Sequence, residues 1–384
     1  MKKLHFSLTL IFLLLLTGCG TFEIIVETPV AFPPVFTDVQ ESTETSTLEP
    51  FNYDDLMAGS MLTPELAGMV FHDDLGVWVV DGSGQARLIG ERINGPVLSP
   101  NGDQVLFTSE DETVLWLRDL PSGESRILDE TPNRMKRGFS WWPERPGVII
   151  YALVEITDPW MGTLGGMNVE TGETFLLDSQ SPTDYSLSTD GETLVLGARE
   201  TLRITQWGGS TEIILPENFQ MAGWSFSHPS WSPDGTKLSL FASRYNEASA
   251  QTEMAVTVLD LQTNQSTIIH SYQAPLGGEY PFTTEWSPDG QWISATTFGE
   301  LGGRMPALWI LSADGSEQHQ YPYGSGPVWS TDGSQMLYSQ GPEPGGADSS
   351  YLAYSLNHIS IGTWEAQPLE VAAGSAPEDW VSVP

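Results

Sequence analysis

The stretch SWSPDGTKLSLFAS, residues 230–243, decides the fold because its first half recurs along the chain. The five residues Trp231–Gly235 return unchanged as Trp286–Gly290. Near-copies of this motif begin at Leu98, Trp141, Leu187 and Trp329. Successive copies are 43, 46, 44, 55 and 43 residues apart, a period typical of β-propeller blades.

Each repeat unit carries the pattern of four short strands. In VTVLDLQTNQSTII, residues 256–269, two alternating apolar runs flank a polar turn, which indicates a strand, a turn and a strand. Within the motif, Pro233 favours the first corner of a type I turn, and Gly235 suits the left-handed residue that closes a hairpin. We therefore predict an all-β protein with one blade per unit. The large apolar motif residues are expected in the seams between blades: Trp231, Trp286 and Trp329.

Two fragments outside the six complete units set the number of blades. Residues 69–89 supply three strands without a leading strand, and residues 376–384 supply a leading strand that contains Trp380. These fragments are complementary, so we predict a seven-bladed β-propeller closed by a C-terminal inner strand that joins three N-terminal strands. Such closure would leave no exposed inner edge. The alternative is six blades with an added hairpin.

The first residues have the features of an export signal. Lys2 and Lys3 precede the mostly apolar run Leu4–Leu16, which is shorter than a membrane span. Leu16-Thr17-Gly18-Cys19 resembles the lipobox of bacterial lipoproteins, and Cys19 is the single cysteine. The resemblance implies cleavage before Cys19, lipidation of Cys19, and a lipid-anchored, extracytoplasmic place in the bacterial cell envelope.

The next residues are typical of a flexible spacer. The segment TDVQESTETSTLEP, residues 37–50, is rich in Thr, Ser and Glu and has little apolar content to bury. A flexible spacer of this length would reach roughly 35–40 Å. We therefore predict a signal peptide over 1–18, a lipidated acidic tether over 19–64, and a β-propeller over 65–384.

The composition limits the partners and the chemistry. The formal net charge is −35, which disfavours binding to nucleic acid and to anionic lipid headgroups. The chain contains no G-x-S-x-G, H-E-x-x-H, P-loop or EF-hand pattern. We expect no catalytic residues, no metal and no cofactor. His228 and His270 are expected on the inner and outer strands of one blade, too far apart to share a metal.

The W-S-P-D-G turns resemble the WD40-like β-propeller repeats of TolB-type proteins. The resemblance covers residues 65–384 and implies the fold. It does not specify a function, because propellers of this class include binding platforms, peptidase gates and polysaccharide lyases. Seven blades rather than six also separate this chain from TolB itself, so no TolB partner is carried over.

Long segments between strands predict the functional face. The connections between blades and between middle strands share one face of a propeller, called here the loop face, and the W-S-P-D-G turns lie on the other. We interpret residues 243–254 and 271–283 as long loops on the loop face, where binding residues are commonly found. Its aromatic residues suit sugar rings or peptide side chains. The candidates among them are Trp160, Trp224, Tyr280 and Phe282.

A second group of candidates comes from the start of the inner strands. Three residues before the motif lie Asp184 and His228 on neighbouring blades, and Arg137 lies one position earlier in its own blade. We hypothesise that Arg137, Asp184 and His228 line a polar central site.

The sequence thus predicts a membrane-anchored, non-catalytic platform that binds a protein, peptide or glycan through its loop face. One alternative is a polysaccharide lyase or glycoside-active propeller that uses His228 with carboxylates. Another is the binding component of an uptake or signalling assembly.

Overall fold

The computed structural model describes most of the chain from Met57 onward. The described residues are 57–91, 94–143, 145–178, 185–198, 201–206, 211–275, 283–298, 300–301, 305–342, 354–372 and 374–380.

The described chain forms seven antiparallel sheets arranged in a ring, which confirms the predicted seven-bladed β-propeller. Blade 1 contains β5 (Asn94–Leu98), β6 (Gln104–Thr108), β7 (Leu115–Asp119) and β8 (Ser125–Asp129). Blade 2 contains β9 (Arg134–Trp141), β10 (Val148–Glu155), β11 (Asp158–Asn168) and β12 (Thr174–Asp178). Blade 3 contains β13 (Tyr185–Leu187), β14 (Thr193–Ala198), β15 (Thr201–Gln206) and β16 (Thr211–Ile214).

The next three blades repeat this arrangement, with the first strand of each blade innermost. Blade 4 contains β17 (Ser225–Trp231), β18 (Lys237–Asn246), β19 (Gln251–Asp260) and β20 (Gln265–Pro275). Blade 5 contains β21 (Thr284–Trp286), β22 (Trp292–Phe298), β23 (Pro306–Ser312) and β24 (Gln318–Pro322). Blade 6 contains β25 (Gly324–Trp329), β26 (Gln335–Gln340), β27 (Ser355–Ser360) and β28 (Ala366–Pro368).

Blade 7 closes the ring as predicted. Its inner strand is β29 (Ala376–Trp380), followed outward by β2 (Met69–His72), β3 (Val77–Val80), β4 (Gln85–Gly90) and a fifth strand, β1 (Ala58–Met61). The indole Nε1 of Trp380 donates to the carbonyl of Ala67 at 2.8 Å. Strand β1 falls in the segment assigned to the tether, so the ordered chain begins before residue 65.

The motif tryptophans occupy the seams, as predicted. Trp231, Trp286 and Trp329 are each 8% exposed. The indole of Trp286 donates to the carbonyl of Ser230 in the preceding blade at 3.2 Å. Each tryptophan therefore joins apolar packing to a hydrogen bond between blades.

The serine and aspartate of the motif hold the turn. The Ser232 hydroxyl donates to Asp234 Oδ1 at 2.6 Å and accepts the Lys237 amide at 2.9 Å. Gly235 has φ +68°, the left-handed conformation predicted for it. These hydrogen bonds to the carboxylate lower the pKa of Asp234.

Two segments interpreted as long loops are largely strands, which corrects the prediction. Residues 243–254 belong mostly to β18 and β19, which pair from Lys237–Asp260 out to Asn246–Gln251 with only four residues between them. Strand β20 continues to Pro275, so the first part of 271–283 is also strand. Two 3₁₀ helices, Pro64–Leu66 and Pro216–Phe219, complete the regular structure. No helix in the described residues is long and apolar enough to cross a membrane.

Candidate functional site

The inner strands share a bulge at the position where the sequence placed their start. Three residues before the motif, Gly95, Gly138, His228 and Gly326 have φ of +57°, +54°, +52° and +62°. The register of all four inner strands shifts there. His228 is the one residue of these four with a side chain, and a left-handed backbone costs such a residue roughly 1–2 kcal/mol. The imidazole of His228 is therefore kept at a position that favours glycine.

Carbonyl groups at this bulge bond to the next blade. The Tyr185 hydroxyl donates to the carbonyl of Gly138. The Thr284 hydroxyl donates to the carbonyl of His228 at 3.2 Å. The bulge of blade 4 is thus fixed to blade 5, which holds the backbone of His228 in place.

One residue before the motif, the inner strands present a ring of partly buried side chains. These residues are Val97, Ser140, Ser186, Ser230, Glu285, Val328 and Asp379. Two of the seven are carboxylic acids, Glu285 in blade 5 and Asp379 in blade 7. Burial, and then the negative charge of Asp379, raise the pKa of Glu285 to about 7. Since blade 6 separates the two blades, this interaction crosses the central channel.

Asp379 is the second acid of this channel pair. Burial raises its pKa to about 6, although the amides of Trp380 and Leu98 donate to the carboxylate. The Trp380 amide lies 2.7 Å from Oδ1. The sequence analysis missed both acids because it considered the position three residues before the motif and not the position one residue before it.

The candidate Arg137 is engaged with a neighbouring blade. Its Nε donates to Glu112 Oε2 of blade 1, and both side chains are partly exposed. One complete blade lies between Arg137 and His228. Asp184, the third member of the hypothesised central site, lies outside the described residues. The three-residue site therefore stays a hypothesis.

The aromatic candidates are described only in part. Trp160 lies in β11, but its side chain is outside the described part of the structure. Tyr280 and Phe282 also lie outside it. Trp224 is partly buried against the core shared by blades 3 and 4. The guanidinium carbon of Arg244 lies 4.6 Å from the centre of its ring, a cation–π contact.

The extended hairpin of blade 4 presents polar and aromatic groups near Trp224. Arg244 Nε donates to Glu253 Oε2 at 2.6 Å, and Asn246 Nδ2 donates to Oε1 of the same carboxylate at 2.8 Å. Tyr245, which points to the other side of the hairpin, is 51% exposed. Paired strands position these side chains more rigidly than a long loop would.

A buried polar cluster joins blades 4 and 5. His270 Nε2 lies 3.1 Å from Glu300 Oε1, and Trp309 Nε1 donates to Glu300 Oε2 at 2.9 Å. The rings of His270 and Trp309 are 4.1 Å apart. The hydrogen bonds from His270 and Trp309 lower the pKa of Glu300 against the opposing effect of burial. His270 is thus bonded within the seam, and His228 lies on the inner strand of the same blade, as predicted.

No group of three or more His, Cys, Asp or Glu residues within the described ranges could hold a metal ion. The chemistry that these ranges offer is therefore protonation of Glu285 and Asp379, together with hydrogen bonding and aromatic contact on the loop face.

Comparison with known proteins identifies the fold. No family model matches the chain, and no curated protein matches it. An oligogalacturonate lyase from Vibrio parahaemolyticus has a TM-score of 0.53 and 13% identity, covering 76% of this chain and 89% of that one. TolB from Acinetobacter baumannii has a TM-score of 0.46 and 16% identity, covering 69% and 63%.

A third similar structure is the Swd1 β-propeller domain from Myceliophteria thermophila. It has a TM-score of 0.48 and 12% identity, and it covers 74% of this chain and 88% of that one. TolB proteins and other WD40-like propellers are thus among the structures similar to this chain. At such identities the similarity is one of fold.

Proposed function

We propose that this chain is a membrane-anchored, extracytoplasmic β-propeller that binds a protein, peptide or glycan on its loop face without catalysing a reaction. The observation that carries the proposal is the extension of blade 4. Its middle strands β18 and β19 have 10 residues each, whereas β22 and β23 of blade 5 have 7 each. Three further residues per strand raise the hairpin by about 10 Å.

The side chains on this hairpin suit recognition. Tyr245 is exposed, and Arg244 is already held by Trp224 and Glu253 before any ligand arrives. A side chain that is ordered in advance loses less conformational entropy on binding. Tyrosine, tryptophan and arginine are also the residues that contribute most to protein interfaces.

A binding array tests the loop-face proposal. We would express the chain with Cys19→Ser, which removes the lipidation site, and screen it on glycan and peptide arrays. Tyr245→Ala and Trp224→Ala are expected to weaken the strongest interaction about ten-fold or more. The matched control is Ile213→Ala, because Ile213 is 60% exposed on the outer strand of blade 3. Equal loss in Ile213→Ala, or no loss in either hairpin variant, would contradict the proposal.

The lipid anchor at Cys19 is a separate part of the proposal. Cell fractionation with a labelled chain tests it: the native chain should sediment with membranes, and the Cys19→Ser chain should be released. Retention of Cys19→Ser in the membrane fraction would show that another segment holds the protein there. An anchor of this kind leaves the propeller free to meet soluble or surface-bound partners.

The channel acids favour a second candidate function. Glu285 and Asp379 have pKa values raised to about 7 and 6, which is the range in which a carboxyl group serves as general acid or base. A polysaccharide lyase or glycoside-active enzyme needs such a group. One similar structure is an oligogalacturonate lyase, although its similarity concerns the fold alone.

An assay of β-elimination separates the two candidates. The chain is incubated with acidic polysaccharides, and the ultraviolet absorbance of the newly formed double bond is followed. An enzyme should lose at least about 100-fold in rate in Glu285→Gln or Asp379→Asn. Turnover that both variants retain, or no turnover of any polysaccharide, would leave the binding function as the supported one.

A further inference from the structure

The outer half of blade 1 repeats the outer half of blade 7. In blade 7, Trp78 of β3 pairs with Leu88 of β4. In blade 1, Trp116 of β7 pairs with Ile127 of β8. In both ladders the register shifts by one residue immediately before the tryptophan. Blade 7 therefore serves as a structural template for blade 1.

In blade 7 the chain itself covers the outer edge with strand β1. The Leu88 amide donates to the carbonyl of Met57 at 2.9 Å, and the Leu62 amide donates to the carbonyl of Gly84 at 2.7 Å. Gly59 lies against the ring of Trp78, where an added Cβ would come within 2.5 Å of Cζ3. The added strand thus needs a residue without a side chain over the tryptophan.

Blade 1 has the same edge without a covering strand in the part of the chain that the structure describes. Ile127, the counterpart of Leu88, is 44% exposed. Trp116 is partly exposed, whereas its counterpart Trp78 is 4% exposed. An apolar residue on an open edge strand is a ready template for another strand, which proteins usually protect against.

The surroundings of this edge are basic on an otherwise acidic protein. Arg126 is exposed on β8, and Arg118 on β7 donates through Nε to the Ser125 hydroxyl at 2.9 Å. Against a net charge of −35, two neighbouring arginines favour a neutral or acidic segment.

We propose that the outer edge of blade 1 binds an extended, neutral or acidic peptide segment of a partner protein as an added antiparallel strand. A small residue of that segment lies over Trp116, and its backbone carbonyl accepts the amide of Ile127, as Met57 accepts the amide of Leu88. Backbone pairing supplies the affinity, and the tryptophan supplies the selection for glycine. This site on the rim is separate from the loop face, so it does not depend on the function proposed above.

Hydrogen exchange with a defined probe tests the proposal. The probe is a synthetic peptide of residues 55–64, DLMAGSMLTP, which contains the covering strand of blade 7 and no basic residue. Added to the full chain carrying Cys19→Ser, it should slow exchange within 125–129. A peptide with Gly59→Val should bind about ten-fold more weakly, because its side chain meets Trp116.

Variants of the edge provide the matched controls. Ile127→Pro removes the outward amide, which an edge strand tolerates, and should weaken binding about five-fold or more. Ile127→Val keeps the amide and the apolar surface and should bind like the native chain. No protection of 125–129 at saturating peptide, or equal binding by the Gly59→Val peptide, would overturn the proposal. Protection without peptide would also overturn it, because the edge would then be covered by this chain's own tether or by a second copy.

Discussion

Lys136 offers the sharpest test of what stabilises the loop-face end of blade 2. It is 1% exposed, and its ammonium group donates to three backbone carbonyls, those of Thr113 at 2.6 Å, Thr131 at 2.9 Å and Arg134 at 3.2 Å. Asp129 Oδ1 lies 3.6 Å away. One buried cation thus connects the turn after β6 to the turn after β8.

Replacing Lys136 by methionine keeps the length of the side chain and removes the charge. Three carbonyls then lose a charged donor, and the nearly buried Asp129 loses its cation but keeps its hydrogen bond from the Tyr151 hydroxyl at 2.8 Å. Breaking one partner out of a buried charged group costs about 3–5 kcal/mol. Methionine avoids the cost of burying an ammonium group, so we expect a loss of about 3–4 kcal/mol in the free energy of unfolding.

Urea unfolding followed by tryptophan fluorescence measures this loss, provided that the transition is two-state. The matched control is Lys237→Met, because Lys136 and Lys237 are the two lysines beyond residue 19. Lys237 is less buried, and we expect its replacement to change the free energy by no more than about 0.5 kcal/mol. A loss below about 1 kcal/mol in Lys136→Met would refute the reasoning that the buried ammonium group holds the two turns.

Three further outcomes follow from the structure. Because the pKa values of Glu285 and Asp379 are raised to about 7 and 6, the folded state binds protons more tightly than the unfolded state. The melting temperature should therefore fall as the pH rises from about 5 to about 8, and the double variant Glu285→Gln, Asp379→Asn should flatten that profile; an equally steep profile would exclude these groups as its cause. His228→Gly should be about 1 kcal/mol more stable to urea than His228→Ala, since both lack the imidazole and only alanine strains the left-handed backbone; equal stabilities would count against strain at the bulge. Trp380→Ala should lose about 3–5 kcal/mol, because the change empties the seam that closes the ring and removes the bond to Ala67; a loss near zero in calorimetry would show that closure does not depend on this side chain.

The repeat made most of the fold predictable. Trp231, Pro233 and Gly235 define a turn and a seam contact by local chemistry, so their recurrence located the blades without knowledge of long-range contacts. The complementary fragments at 69–89 and 376–384 predicted ring closure, because an inner strand was missing from one and present in the other. Both signals are short-range patterns that survive in any tertiary context.

The features that were missed depend on neighbours in space. The blade 4 hairpin continues through Ser243–Met254 with polar residues on both sides, so its strands lack the apolar alternation that marks a half-buried strand. Strand β1 is short and contains Gly59, a weak strand former that is suited to this edge only because Trp78 lies over it. Glu285 and Asp379 become a pair only when blades 5 and 7 face one channel.

The closing strand has a consequence for the order of folding. Trp380 and Ala67 are bonded although 313 positions separate them along the chain. During synthesis from the amino terminus, β2 waits with its inner edge unpaired until residue 380 has emerged. Contacts of such long separation slow folding, and an edge left open in the meantime invites pairing with other chains. Blade 7 therefore begins first and is completed last, and its waiting time sets the interval in which a newly made chain is most exposed to aggregation.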